Sequence, residues 1–271
     1  NTPIDQVASA LSNHYNLHVI ADSALLKLSP VPTITANFNQ QTIDAVLDEY
    51  GGLIMTPERR NHQRDLHNHP DVAEARHGGS ADEYMRKGQE AEARGKPHLA
   101  KSYYRMAANK GDGLGQLQLG LLFEQGLGIG KSESEALRLY KLAANQGIAT
   151  AQFNAGAACN YGRGTPVDYT TAAYYYTLAS RQGDLEATVN LGILYENGTG
   201  VPQDFRKAVE LYAQAAERDF PQALFALALM FGKGRGVAQS DNTAIELMKR
   251  SADLGFGPAK MVLMSKGIAG Y

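Results

Sequence analysis

"GLGIGKS" (residues 126–132) puts three glycines ahead of Lys131 and Ser132, and how it is read decides the fold. A phosphate-binding loop needs G-x-x-x-x-G-K-[ST] directly after a strand, so that backbone N–H groups ring the phosphates and the next helix points its positive end at them. Counting back from Gly130, the required first glycine falls on Gln125. The stretch also recurs: "GRG" begins at 162, "GTG" at 198 and "GRG" at 234, each 36 residues after the one before. A loop that returns at a fixed period belongs to a repeat architecture, not to one ligand site.

Around these loops the whole sequence falls into register. Residues 113–148, 149–184, 185–220 and 221–256 align as four units of 36 residues without a gap. A small residue recurs at Gly115, Ala151, Ala187, Ala223 and Ala259, and a second column holds Gly120, Gly156, Gly192 and Ala228. Further columns are Ala136, Ala172, Ala208 and Ala244, then Tyr140, Tyr176, Tyr212 and Met248, then Ala143-Ala144, Ala179-Ser180, Ala215-Ala216 and Ser251-Ala252. Ala187, Leu191, Leu194 and Tyr195, then Ala208, Leu211, Tyr212 and Ala215, keep the three-and-four spacing of two buried helical stripes. Each unit therefore reads as a helix hairpin. Its first loop glycine ends one helix at positive φ. The column Ser132, Asp168, Asp204 and Ser240 opens the next by accepting from free N–H groups, with Ser132 and Glu135 at capping-box spacing. Lys131 is then an exposed residue just before a cap. Alanine and glycine let helices approach at crossings, one tyrosine per unit is expected to fill the space between neighbours, and stability is shared between units.

These columns resemble the Sel-one-like repeat family, relatives of tetratricopeptide repeats. The likeness rests on the paired loop glycines, the Ala-Ala-x-x-Gly end of the second helix (Ala143-Ala144 to Gly147) and the "LGxxY" of Leu191, Gly192 and Tyr195. Residues 81–112 match the shorter tetratricopeptide parent, with Gly88, Ala91, Gly95, Ala100, Tyr104 and Ala107 at its offsets and no loop extension. The resemblance implies a mainly α fold: a right-handed α-α solenoid over 81–112 and 113–271, closed by a helix near Pro258–Lys266. Residues 1–55 differ in kind. Ile4, Val7, Ala8 and Leu11 make a helical stripe, 16–22 and 31–38 alternate as strands, and Ile43, Val46, Leu47 and Tyr50 make a second helix between Asn39 and Gly51-Gly52. With "NLHVIAD" and "LDEYGG", this small α+β domain is similar to the secretin and TonB N-terminal short domain of bacterial envelope proteins. Residues 56–80, mixed in charge and poor in apolar side chains, read as a linker.

Composition bounds the chemistry. With 271 residues, 44% hydrophobic, the chain can pack one or two domains. A net charge of -2 and a pI near 6.4 supply no basic field, so no nucleic acid is expected as a partner. No run approaches the ~18–20 apolar residues of a membrane span. The start at Asn1 suits a precursor whose signal peptide has been removed, or a trimmed chain. His62, His67, His69 and His77 gather in the linker at no usual zinc spacing, so no metal and no cofactor are expected. Ser240-Asp241-Asn242 lacks the S-x-x-K and K-T-G partners of the penicillin-recognising enzymes, and Ser240 is a cap. The single cysteine, Cys159, shares a core column with Phe123, Tyr195 and Phe231 and reads as a buried filler. Cysteine-rich members of the family carry paired cysteines in each hairpin, which this chain lacks.

What remains for function is surface. In this superfamily the first helices line the concave face, so the resemblance implies partner contacts at Gln118 and Glu124, at Phe153, Asn154, Asn160 and Tyr161, at Asn190 and Glu196, and at Phe225 and Lys233. Asn154 and Asn190 share one repeat position, where an amide can donate and accept together along an extended peptide. The leading reading is a non-enzymatic interaction scaffold of a bacterial envelope, periplasmic or secreted, with protein partners among envelope components. The alternative is a secreted or periplasmic regulator acting on a sensor or host protein. An enzyme would need a nucleophile, base and orienter, and no such constellation is found. Oligomeric state is left open.

Overall fold

The Ser80 hydroxyl accepts from the Glu83 N–H at 3.1 Å and so starts the first of five hairpins. In the computed structural model, which describes residues 2–3, 33–34 and 79–268, α1 (Ala81–Ala93) pairs with α2 (Pro97–Asn109) and α3 (Gly113–Gln125) with α4 (Glu133–Asn145). Next come α5 (Ala149–Tyr161) with α6 (Tyr169–Arg181), α7 (Leu185–Asn197) with α8 (Phe205–Ala216), and α9 (Pro221–Lys233) with α10 (Asp241–Asp253). The closing helix, α11 (Gly257–Ser265), lies within one residue of the expected span. Each helix packs on the next in sequence, which is the arrangement of an α-α solenoid.

The connection between α1 and α2, residues 94–96, is four residues shorter than that between α3 and α4, residues 126–132, as the sequence offsets required. In the longer loops each glycine has its own task. Gly126 ends α3 in the left-handed region at φ 73°, and its counterparts cap α5, α7 and α9 in the same way. The second glycine is fixed by the preceding unit: a Cβ on Gly128 would come within 2.6 Å of the His98 backbone nitrogen at the start of α2. Gly164, Gly200 and Gly236 abut the backbone of Glu133, Tyr169 and Phe205 in the same fashion. The loop closes when the cap residue's N–H donates nine residues back, from Ser132 to the Phe123 carbonyl and from Asp204 to the Tyr195 carbonyl, both at 2.9 Å.

The cap column stands as expected. Ser132, Asp168, Asp204 and Ser240 accept from the N–H of Glu135, Thr171, Lys207 and Thr243 at 3.3, 3.0, 3.0 and 3.3 Å. The Ser132 capping box is only half built. Its own N–H goes to Phe123, and Glu135 turns outward to Arg138 at 3.0 Å. Lys131 is exposed and pairs with Glu133 at 3.1 Å.

Two small-residue columns do different work. Ala151, Ala187, Ala223 and Ala259 are fully buried where one unit meets the next, and a Cβ on Gly115 would sit 2.7 Å from that of Ala107 on α2. The other column receives a ring. A Cβ on Gly120 would lie 2.7 Å from the Tyr140 ring, and one on Gly192 would lie 2.5 Å from Tyr212. The repeating tyrosine thus rests its ring on the glycine of its own hairpin, and Tyr212 also reaches the space between its unit and the next, where it lines a groove between α7 and α9. In the fifth unit Ala228 replaces the glycine and Met248 the tyrosine, and both are buried together. Cys159 is buried in the core with Ala155, Tyr175 and Tyr176, and burial pushes its thiol up from the ordinary range.

The chain divides into two units, Asn1–Arg76 and His77–Tyr271. In the first, β1 (Thr2–Pro3) pairs antiparallel with β2 (Thr33–Ile34), Thr2 opposite Ile34 and Pro3 opposite Thr33. β2 falls inside the strand read at 31–38, and its partner precedes the stripe that starts at Ile4. That stripe, the strand read at 16–22, the second helix from Ile43 to Tyr50 and the four linker histidines lie outside the described residues.

Candidate functional site

All ten residues singled out in the sequence fall on the first helices. Gln118 and Glu124 are on α3, Phe153, Asn154, Asn160 and Tyr161 on α5, Asn190 and Glu196 on α7, and Phe225 and Lys233 on α9. The structure gathers six of them into two groups, and Asn160 holds the repeat position of the glutamates in the second. Gln118 and Asn154 are half-buried, Lys233 is exposed in the last turn of α9, and none of the three joins either group.

One group is a groove of about 540 Å³ between α7 and α9, reaching Phe256 ahead of α11. Asn190, Glu196 and Phe225 line it. Its floor is apolar: Val189, Ile193, Ala226 and Leu229 contribute, and Phe225 meets Phe256 edge-on with ring centroids 5.3 Å apart. Glu186 and Gln222 add polar groups from the first turns of α7 and α9. Of the two amides at one repeat position, Asn190 faces this groove; the next unit has Ala226 there, which opens the floor to apolar groups.

The other group surrounds the tyrosine column. Tyr140 donates to Glu124 at 2.6 Å and Tyr212 to Glu196 at 3.0 Å, each across its own hairpin. Each glutamate also takes an arginine from the next unit's loop. Arg163 reaches Glu124 at 2.6 Å and Arg235 reaches Glu196 at 3.5 Å. Burial, and then the adjacent glutamate, push both phenols well above their usual range. On α5 the glutamate position is Asn160, and the column tyrosine of that hairpin is Tyr176. The Tyr176 ring packs near Phe153, centroids 6.0 Å apart, and the Arg163 guanidinium lies 5.9 Å from the centre of the Tyr161 ring. Burial first, then the neighbouring Tyr161, push the Tyr176 phenol up, against an opposing pull from Arg163.

Sequence reasoning missed Ile193, Gln222, Phe256, Arg163 and Tyr176. Ile193 was within reach, one helical step from Asn190 on the same face. Arg163 was not, because its partner Glu124 lies 39 residues away in another unit.

Five tandem matches to the family model described as Sel1 repeat cover residues 73–112, 113–148, 149–184, 185–220 and 221–256. The chain belongs to the Sel1 repeat family. The hairpin read as a tetratricopeptide-like unit at 81–112 is matched as a Sel1 repeat too, despite its shorter loop. Among solved structures, a Sel1 repeat protein from Oxalobacter formigenes is 28% identical with a TM-score of 0.63, covering 84% of this chain and 87% of that one. The c5321 protein, described as a protective antigen present in uropathogenic Escherichia coli strains and displaying an SLR fold, is 25% identical with a TM-score of 0.65. That likeness covers 86% of this chain but 53% of the other, so the chain spans about half of that relative's length. No curated protein matches the chain. Sel1 repeat proteins are generally protein–protein interaction scaffolds, and the fold is typically non-catalytic. Among the described residues no group of three or more His, Cys, Asp or Glu side chains is placed to hold a metal, and no helix is long and apolar enough to cross a membrane.

Proposed function

We propose that the chain is a non-enzymatic adaptor of a bacterial cell envelope, periplasmic or secreted, whose first-helix face grips an extended segment of a protein partner. The groove between α7 and α9 carries this reading. It joins an apolar floor, a half-buried amide at Asn190 able to donate to and accept from a peptide backbone, and polar groups along its edge, the composition of a ligand-binding cleft. Support for the envelope comes from the sequence likeness of residues 1–55 to the secretin and TonB N-terminal short domain. That segment would dock on an envelope assembly while the repeats hold the partner.

Affinity capture from an envelope extract tests this with the full chain and with Asn190→Ala/Ile193→Lys, a variant that alters the groove at positions the core does not need. The native chain is expected to retain an envelope protein that the variant loses, with both melting at the same temperature. Equal capture by both would remove the groove from the account. The 25% likeness to a protective antigen favours the secreted regulator as the second reading. Finding the native chain in the culture medium rather than the periplasm would move that reading ahead.

A further inference from the structure

Tyr104, Tyr140 and Tyr212 each donate to a glutamate of their own hairpin, Glu92, Glu124 and Glu196, at 2.7, 2.6 and 3.0 Å. In the hairpin between them the pattern breaks on one side only. Tyr176 is as buried as its counterparts, at 0% exposure, yet the glutamate position holds Asn160, and the Tyr176 Oη has no hydrogen-bond partner among the described residues. A second donor beside it is in the same condition: the Arg163 Nε is buried and unpartnered, although the same guanidinium gives its Nη1 to Glu124. In the fifth unit, by contrast, glutamate and tyrosine are lost together, as Gly232 and Met248, and no donor is stranded. A buried donor without an acceptor is destabilising unless something outside the fold completes it.

We propose that the α5–α6 hairpin is a carboxylate-receiving site: an aspartate or glutamate side chain of a bound peptide takes the place that Glu92, Glu124 and Glu196 fill elsewhere. It accepts from the Tyr176 Oη–H and the Arg163 Nε–H, with the Asn160 amide beside it. Charge-assisted bonds to an arginine are the strong ones, and a guanidinium keeps its charge at every working pH. Arginine then stands between two carboxylates, Glu124 of this chain and one of the partner. Access runs through side chains rather than backbone. Arg163 is 39% exposed and Tyr161 65% exposed, so both can lift, and Phe153 and Tyr161 supply apolar surface beside the entering chain. The site rests on the reading of the first-helix face as a partner surface but uses none of the groove residues.

The test is a nuclear magnetic resonance titration of the full, nitrogen-15-labelled chain with acetyl-Ala-Phe-Glu-Phe-Ala-amide, its Gln counterpart, and glutarate. The Glu peptide is expected to bind about tenfold more tightly than the Gln peptide and to shift the Arg163 Nε–H resonance. Tyr176→Phe and Asn160→Glu should each lose that tenfold preference. Asn160→Glu should also raise the melting temperature, because it supplies the acceptor from within. Equal affinity for the two peptides, an unmoved Arg163 Nε–H, or an Asn160→Glu variant that binds and melts like the native chain would overturn the proposal. Glutarate binding as tightly as the Glu peptide would mean a free diacid and would equally overturn it. Failure here with the groove variant still losing its partner removes this site alone, whereas failure of the groove variant with this site intact removes the adaptor's grip between α7 and α9.

Discussion

Tyr140 and Tyr212 sit in the same socket as Tyr176 but satisfy their hydroxyls, and that difference should be measurable as stability. Tyr140→Phe and Tyr212→Phe are each expected to cost about 1 kcal/mol in urea unfolding, whereas Tyr176→Phe should be neutral or mildly stabilising, since it removes a stranded donor. A cost at Tyr176 equal to that at Tyr140 would mean the hydroxyl is satisfied in solution. Glycines divide in a similar way. Gly147 has a left-handed backbone at φ 85° with nothing near its missing Cβ, while Gly128, at φ 68°, abuts His98 as well. Gly128→Ala should therefore cost more than Gly147→Ala by about 1–3 kcal/mol, the usual range for overpacking. Sequence periodicity made both glycines of the long loop, Gly126 and Gly128, legible, because each recurs every 36 residues. It could not say why the second is needed, since that reason lies in the backbone of the preceding unit.

At the scale of the element, caps and loops decide where helices begin and how hairpins are tied. Asp204→Ala removes the acceptor for the Lys207 N–H at the start of α8 and should cost about 1 kcal/mol by thermal unfolding. The ties between units are weaker. Glu124–Arg163 and Glu196–Arg235 have half-exposed partners, so each contributes at most about 1 kcal/mol, and they fix the direction of the glutamates more than the stability of the stack. Helix order, the cap column and the closing helix were all legible from local spacing. The cross-unit ion pairs, the inward packing of the tyrosines and the half-built capping box were not, because each depends on which helix lies alongside. Three of the ten candidate residues, Asn190, Glu196 and Phe225, line the groove, yet no spacing rule indicated that Phe256, a loop residue, would close it.

On the scale of the whole molecule, stability passes from unit to unit, so the weakest unit should open first. The fifth hairpin lacks the glycine–tyrosine–glutamate set; α9 still shares a cluster with α8 through Leu224, Leu227 and Met230, but α10 and α11 lean on the small cluster of Ala228, Met248, Ala259 and Leu263. Amide hydrogen exchange should accordingly be fastest in α10 and α11 and slowest in α5 to α8; uniform protection would mean that the solenoid unfolds as one block. Alkali should act through the tyrosine column. The folded pKa of Tyr104, Tyr140 and Tyr212 is raised by burial, so their contribution is fully present below the unfolded value of about 10 and is lost as pH rises beyond it. The melting temperature should fall above about pH 10, and by less in Tyr212→Phe.

The central claim is the proposal that partners meet the first helices and not the second, and site-specific photo-crosslinking in living cells tests it most directly. A photoreactive residue in place of Ile193, 40% exposed beside the groove, is compared with one in place of Leu142, equally 40% exposed on α4. The account predicts a crosslinked protein partner from position 193 and none from position 142. Crosslinks from 142 alone, or equally from both, would contradict it.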